Sequence, residues 1–138
     1  MNFFDTSALE SALRRILLDG GVAEVVYANR PKSAPTRENR FAVVSVAGNL
    51  DDLACYGDCV VRITLYARDA AGLKDSRALS EMQKALCGCL PPSYDYEEDG
   101  KTAGSYLFGT TPTVVGDSAD DYGFHARTLI LRTIIKVI

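Results

Sequence analysis

Four cysteines, a single histidine and a run of carboxylates are the residues of this chain whose chemistry could define an active site. Cys55 and Cys59 form a C-x3-C pair, Cys87 and Cys89 a C-x-C pair, with residues 60–86 between them. Four thiolates converging on zinc would be the corresponding chemistry, but neither pair has the C-x2-C spacing of common zinc knuckles. The cysteines read instead as free, partly buried thiols in a reducing compartment. His125 follows Asp117, Asp120 and Asp121 in sequence and could serve as a general base. A general base needs a nucleophile and an oxyanion site, and the sequence supplies neither, so His125 reads as a surface or edge-strand histidine. Asp95, Glu97, Glu98 and Asp99 could bind calcium, yet they lack the D-x-D-x-D-G spacing and the distal glutamate of an EF-hand loop. Gly104, Gly109 and Gly116 form no phosphate-binding pattern, and no G-x-x-x-x-G-K motif occurs. The seven tyrosines and five phenylalanines are spread along strands and loops without the basic interleaving of a base-stacking surface. No catalytic residue, metal or cofactor is assigned.

Composition bounds what such residues could belong to. A chain of 138 residues is expected to form a single domain, 1–138, around one core, burying about two-thirds of its unfolded surface. With 47% hydrophobic and 24% charged residues it has an ordinary globular composition. The net charge of -3 argues against a phosphate-binding surface, and no nucleic-acid contact is expected. No apolar run reaches the roughly 18–20 residues of a membrane helix, since Arg132 and Lys136 interrupt the best candidate. Residues 1–5 lack the basic start and apolar stretch of a signal peptide, and the expectation is an intracellular protein.

The elements that must position these residues follow from spacing. Ser7-Ala8-Leu9-Glu10 has the S-x-x-E form of a capping box, and Leu9, Leu13, Ile16 and Leu17 then line one helical face until Gly20-Gly21. A short β-branched strand is expected over 22–28, and a Pro-containing loop over 29–40. Strands over 41–47 and 59–67 follow, joined as a hairpin through a polar loop at 48–58. Asp69 is the expected N-cap of a second helix carrying Leu73, Leu79, Met82, Leu86 and Leu90, which Gly88 and Pro91-Pro92 close. Residues 93–104 read as an acidic loop. A strand over 105–116, broken near Pro112, pairs through a turn at 117–123 with a terminal strand from Phe124. The expected fold is α+β, an antiparallel or mixed sheet with two helices packed on it, in the order α-β-β-β-α-β-β.

Opposite charge on the two long loops is the one pattern with functional content. Arg30, Lys32, Arg37 and Arg40 make the first loop basic against the single acid Glu38, while Asp95, Glu97, Glu98 and Asp99 outweigh Lys101 in the second. Copies assembled head to tail could bring one loop of each kind together, a contact of the sort that closes into a ring. The plainer alternative is that both are solvated loops, since exposed ion pairs contribute little. Asp120 and Asp121, in the last turn, join the candidate contact residues.

The same order of elements resembles the tail-completion and head-tail joining proteins of long-tailed bacteriophages and prophages, the tail-terminator-like group. The opening helix 9–14 leading to the strand residues Val26-Tyr27, the segment 41–45 after a Pro-containing loop, and the strand 61–67 followed by the helix 78–86 carry the resemblance. The close at Gly123-Phe124-His125-Ala126-Arg127 is similar to that family's final strand. Departures are the length of the acidic segment 93–104 and the four cysteines. The resemblance implies a non-enzymatic structural protein, found in the host bacterial cytoplasm during assembly and then in the virion tail. It would form a ring homo-oligomer, often of six copies, that meets the tail tube or head-tail connector proteins. Two rivals stand beside it: a small intracellular ligand-binding or regulatory domain, and a metal-dependent enzyme using the cysteines with His125.

Overall fold

A computed structural model describes residues 6–27, 38–50, 56–98, 100–108, 111–119 and 122–137. The elements run α1 (Thr6–Asp19), β1 (Val25–Tyr27), β2 (Arg40–Leu50), β3 (Tyr56–Arg68), α2 (Ser76–Cys89), β4 (Ser93–Glu98), β5 (Lys101–Leu107), β6 (Thr113–Ala119) and β7 (Phe124–Val137). The fold is α+β, with the expected order of elements; two of its strands come from a segment read above as loop.

Leu9, Leu13 and Leu17 are fully buried along one face of α1, as their helical spacing predicts. Its end is a paired closure in which Gly21 N–H donates to Leu18 O (3.1 Å) and Val22 N–H to Leu17 O (3.1 Å). That geometry requires a left-handed residue, which Gly21 supplies at φ 69°. Helix α1 starts at Thr6, one residue before the Ser7 of the S-x-x-E spacing. Helix α2 also begins differently: its N-cap is Asp75, whose carboxylate accepts from Ala78 N–H at 3.0 Å. Asp69 instead follows the last residue of β3, and Ala70 and Leu73 close a tight turn by exchanging two backbone hydrogen bonds. Ala71 (φ 53°) and Gly72 (φ 77°) take the two left-handed positions of that turn. Leu73 is consequently 72% exposed, outside the core face formed by Ala78, Leu79, Met82 and Leu86.

One sheet holds all seven strands, in the order β1-β2-β3-β7-β5-β4, with β6 paired beside β7. Only β1–β2 is parallel among these pairs; the rest are antiparallel. β2 and β3 are longer than expected, in continuous register from Arg40↔Ala67 to Leu50↔Gly57, and the anticipated wide loop shrinks accordingly. Strand β7 pairs along its whole length with β3 on one edge. Its other edge is divided, residues 125–130 against β6 and 134–137 against β5. Residues 93–104 are not a loop. They supply β4 and most of β5, a hairpin that turns at Gly100 (φ 77°).

Both helices lie on one face, α1 against β1 and β2, α2 against β3, and they touch each other. Val44, Val61, Ile63, Leu65, Leu129 and Leu131 point into that layer and are fully buried. On the opposite face a smaller aromatic group forms, with Phe41 stacked on Tyr66 (centroids 4.4 Å) and set edge-on to Phe124 (5.1 Å). Arg68 lies over the Phe124 ring at 4.8 Å.

Candidate functional site

The most connected polar cluster is built where β6 meets β7 and α2. Asp117 and Arg127 are direct cross-strand partners, so a carboxylate and a guanidinium face each other by register alone. Arg127 donates from Nε to Asp117 Oδ1 (2.8 Å) and from Nη2 to Oδ2 (3.0 Å), a two-bond fork. Its Nη1 reaches across to Gln83 Oε1 (3.0 Å) and Ser80 Oγ (3.4 Å) on α2. Lys74 Nζ adds a second cation at 2.5 Å from Asp117 Oδ2. The Arg127 hydrogen bonds hold the Asp117 carboxyl down at about 2, partial burial opposing and Lys74 assisting. The same bonds raise the Arg127 guanidinium above its ordinary value. A carboxylate so tightly neutralised is a poor proton acceptor, and the cluster works as a clamp fixing β6 and α2 to β7. The sequence did carry a signal for it: Asp117 and Arg127 stand equally far on either side of Tyr122, in the turn joining β6 to β7.

His125 is paired with Asp69, Nδ1 to Oδ1 at 2.6 Å. Beside it Asp69 N–H donates to Gly123 O at 2.9 Å, so the pair joins the end of β3 to the start of β7. Of the cysteines, Cys87 is an exposed free thiol and Cys89 a partly buried one. Burial raises the Cys89 thiol, which donates to Leu86 O at 3.4 Å. Cys55 lies outside the described residues, and Cys59 stands in β3 opposite Thr133. Among the described residues no group of three or more His, Cys, Asp or Glu is placed to hold a metal ion. An open cleft of about 260 Å³ lies at the end of α2, lined by Cys87, Leu90, Pro91, Pro92, Phe108, Thr111 and Pro112. This is smaller than the roughly 300–1,000 Å³ of small-molecule sites and has no convergent charged group.

The candidate contact residues fall on opposite sides of the sheet. Arg40 opens β2 and donates from Nη2 to Glu81 Oε2 on α2 at 2.8 Å. Glu81 also pairs with Arg77 at 3.3 Å, and the Arg40 hydrogen bond leads in lowering its pKa. Asp95 is on β4, across β3, β7 and β5 from β2, and accepts from Ser105 Oγ at 2.6 Å. Glu97 and Glu98 follow on β4, in register with Thr102 and Lys101. Arg30, Lys32, Arg37, Asp99, Asp120 and Asp121 lie outside the described residues. Strand β6 is exposed at every residue, with Val115 61% accessible, and pairs with β7 alone. An open strand edge of this kind can accept another chain.

Among the described residues no helix is long and apolar enough to cross a membrane. No family model matches the chain, and no curated protein does. A solved structure does resemble it, with a TM-score of 0.65 and 12% identity over 96% of this chain and 93% of the other. At that identity the likeness establishes the α+β fold and nothing beyond it.

Proposed function

We propose that the protein is a non-enzymatic structural subunit of a phage or prophage tail that forms or joins a ring at the head-tail junction or tail end. The observation that carries this reading is the separation of its two charged candidate surfaces. The β4–β5 hairpin bearing Asp95, Glu97 and Glu98 and the side of the sheet where Arg40 begins β2 are divided by β3 and β7. A ring needs such an arrangement, because each copy must present two different surfaces, one to each neighbour. The exposed edge of β6 supports the same reading as a place for a tail or connector protein to add a strand. In this account the sheet and both helices form the rigid body, the clamp of Asp117, Arg127 and Lys74 keeps β6 in place, and the charged margins make the contacts.

Light scattering across protein concentration, at low and then high salt, tests it. A closed species of several copies that dissociates as salt screens its contacts is the expected result. A monomer at every concentration and salt would refute ring formation by the protein on its own.

A further inference from the structure

We propose that the sheet face turned away from the helices is the docking surface for the acidic β4–β5 hairpin of a second copy, with Arg62 and Arg132 receiving its carboxylates. The proposal rests on the ring reading above, keeping its acidic hairpin and moving the receiving surface from the start of β2 to the face of β3 and β7. Register places the residues. Arg62 pairs with Ser45 and Ile130, and Val60 pairs with Arg132, so all five share one face, while Val61, Ile63, Leu129 and Leu131 share the face under the helices. Arg62 and Arg132 are diagonal neighbours across β3 and β7, roughly 7–8 Å apart in antiparallel geometry.

Both residues are exposed, and among the described side chains, which do not include that of Asp58 opposite Ile134, neither has a carboxylate or hydrogen-bond partner. Apart from the exposed Arg15 on α1, the other described arginines are engaged within the chain: Arg14 with the Val26 carbonyl, Arg40 and Arg77 with Glu81, Arg68 with Asn39, Arg127 with Asp117. Two like charges side by side on a sheet repel each other, and a carboxylate between them turns that cost into attraction. Val60 (42% exposed) and Ile134 (45%) flank them on the same face.

The hairpin matches this surface in charge. Residues 93–107 hold Asp95, Glu97, Glu98 and Asp99 against Lys101, four negative charges and one positive, a net of -3. Tyr94 packs against the chain's own core, and Asp95 beside it on β4 is exposed. β4 is the outermost strand on its side, whereas Arg62 and Arg132 lie on the central strands. Donor and acceptor are therefore different surfaces, and their contact is heterologous and repeats from copy to copy.

The test is a charge swap. A face variant, R62E with R132E, and a hairpin variant, D95K with E97K and E98K, are each checked for an unchanged circular dichroism spectrum, then weighed by light scattering at low salt. The wild type should assemble, and each variant alone should remain monomeric, its association weakened at least ~100-fold by like charge. Mixed one to one, the two variants should assemble again, because each then meets a partner of opposite sign. Assembly by the face variant at wild-type concentration overturns this surface and leaves the ring reading standing. Failure of the mixture to assemble overturns the hairpin as its occupant. A monomeric wild type overturns both readings together.

Discussion

Replacing Asp117 by Asn should destabilise the protein in a way that depends on pH with a definite sign. In the folded chain the Asp117 carboxyl titrates at about 2, against 3.8 for the free side chain. At 1.36 kcal/mol per unit this difference has an upper limit of about 2.5 kcal/mol, and solvent screening at this partly open site reduces it to about 1 kcal/mol. Because the folded pKa lies below the unfolded one, the stabilisation is complete above the unfolded value, near pH 5 and higher. It is lost as pH falls from about 4 through about 2, where both states bind the proton. Asn cannot titrate, so the gap between wild type and D117N should be about 1 kcal/mol at pH 7 and close to zero at pH 2. For a domain of this length 1 kcal/mol corresponds to a fall of about 3–5 °C in Tm. Urea unfolding of both proteins from pH 7 to pH 2 measures the gap. Amide exchange across 113–119 should quicken in D117N, because the clamp holding β6 is lost. A gap that stays constant across the pH range would show that the carboxylate is not what stabilises the strand.

Two further outcomes follow from packing and exposure. At Gly20 an added Cβ would lie 2.5 Å from Cys89 Cβ, so G20A should cost about 1–3 kcal/mol by forcing α1 and α2 apart. G88A, with nothing within 4 Å of its new methyl group, should be neutral or raise stability by up to about 1 kcal/mol, and thermal melts of the pair separate the two effects. A charged thiol reagent should modify Cys87 well before Cys89, because burial disfavours the Cys89 thiolate while Cys87 is open to solvent; comparing C87A with C89A assigns the phases, and equal rates would contradict that burial.

What the sequence made legible was the part of the fold governed by a single period. Leu9, Leu13 and Leu17 repeat at helical spacing and are buried together, and Val61, Ile63 and Leu65 alternate and share the core face. The acidic hairpin was hidden because its charge obscured its alternation. Tyr94 and Tyr96 fall two apart between polar neighbours, a strand pattern, but four acids within five residues also describe a solvated loop. Asp69 reads as the helix cap when Leu73 is counted in the apolar series, but the cap is Asp75. The left-handed pair Ala71 and Gly72, which turns the chain before α2, leaves no mark that distinguishes it from a first helical turn. The Arg40–Glu81 pair and the link from Arg127 to α2 were less legible still. Each joins residues that become neighbours only when helix docking is known, and Arg40 reads as free for contact when α2 supplies its counter-ion.

The position of β7 in the chain governs the order in which the molecule can be made. Every strand it joins, β3 on one edge and β5 and β6 on the other, precedes it in sequence. A ribosome that has emitted residues 6–119 has therefore released a three-stranded β1–β2–β3 unit and a β4–β5 hairpin with no strand pairing between them. β6, at that stage, has no strand partner at all. The β3 edge that β7 will occupy stands open for the time needed to translate β7 at roughly 5–20 residues per second. During that interval the nascent chain exposes more pairing surface than the finished subunit does, and insertion of β7 is the event that converts two partial sheets into one body.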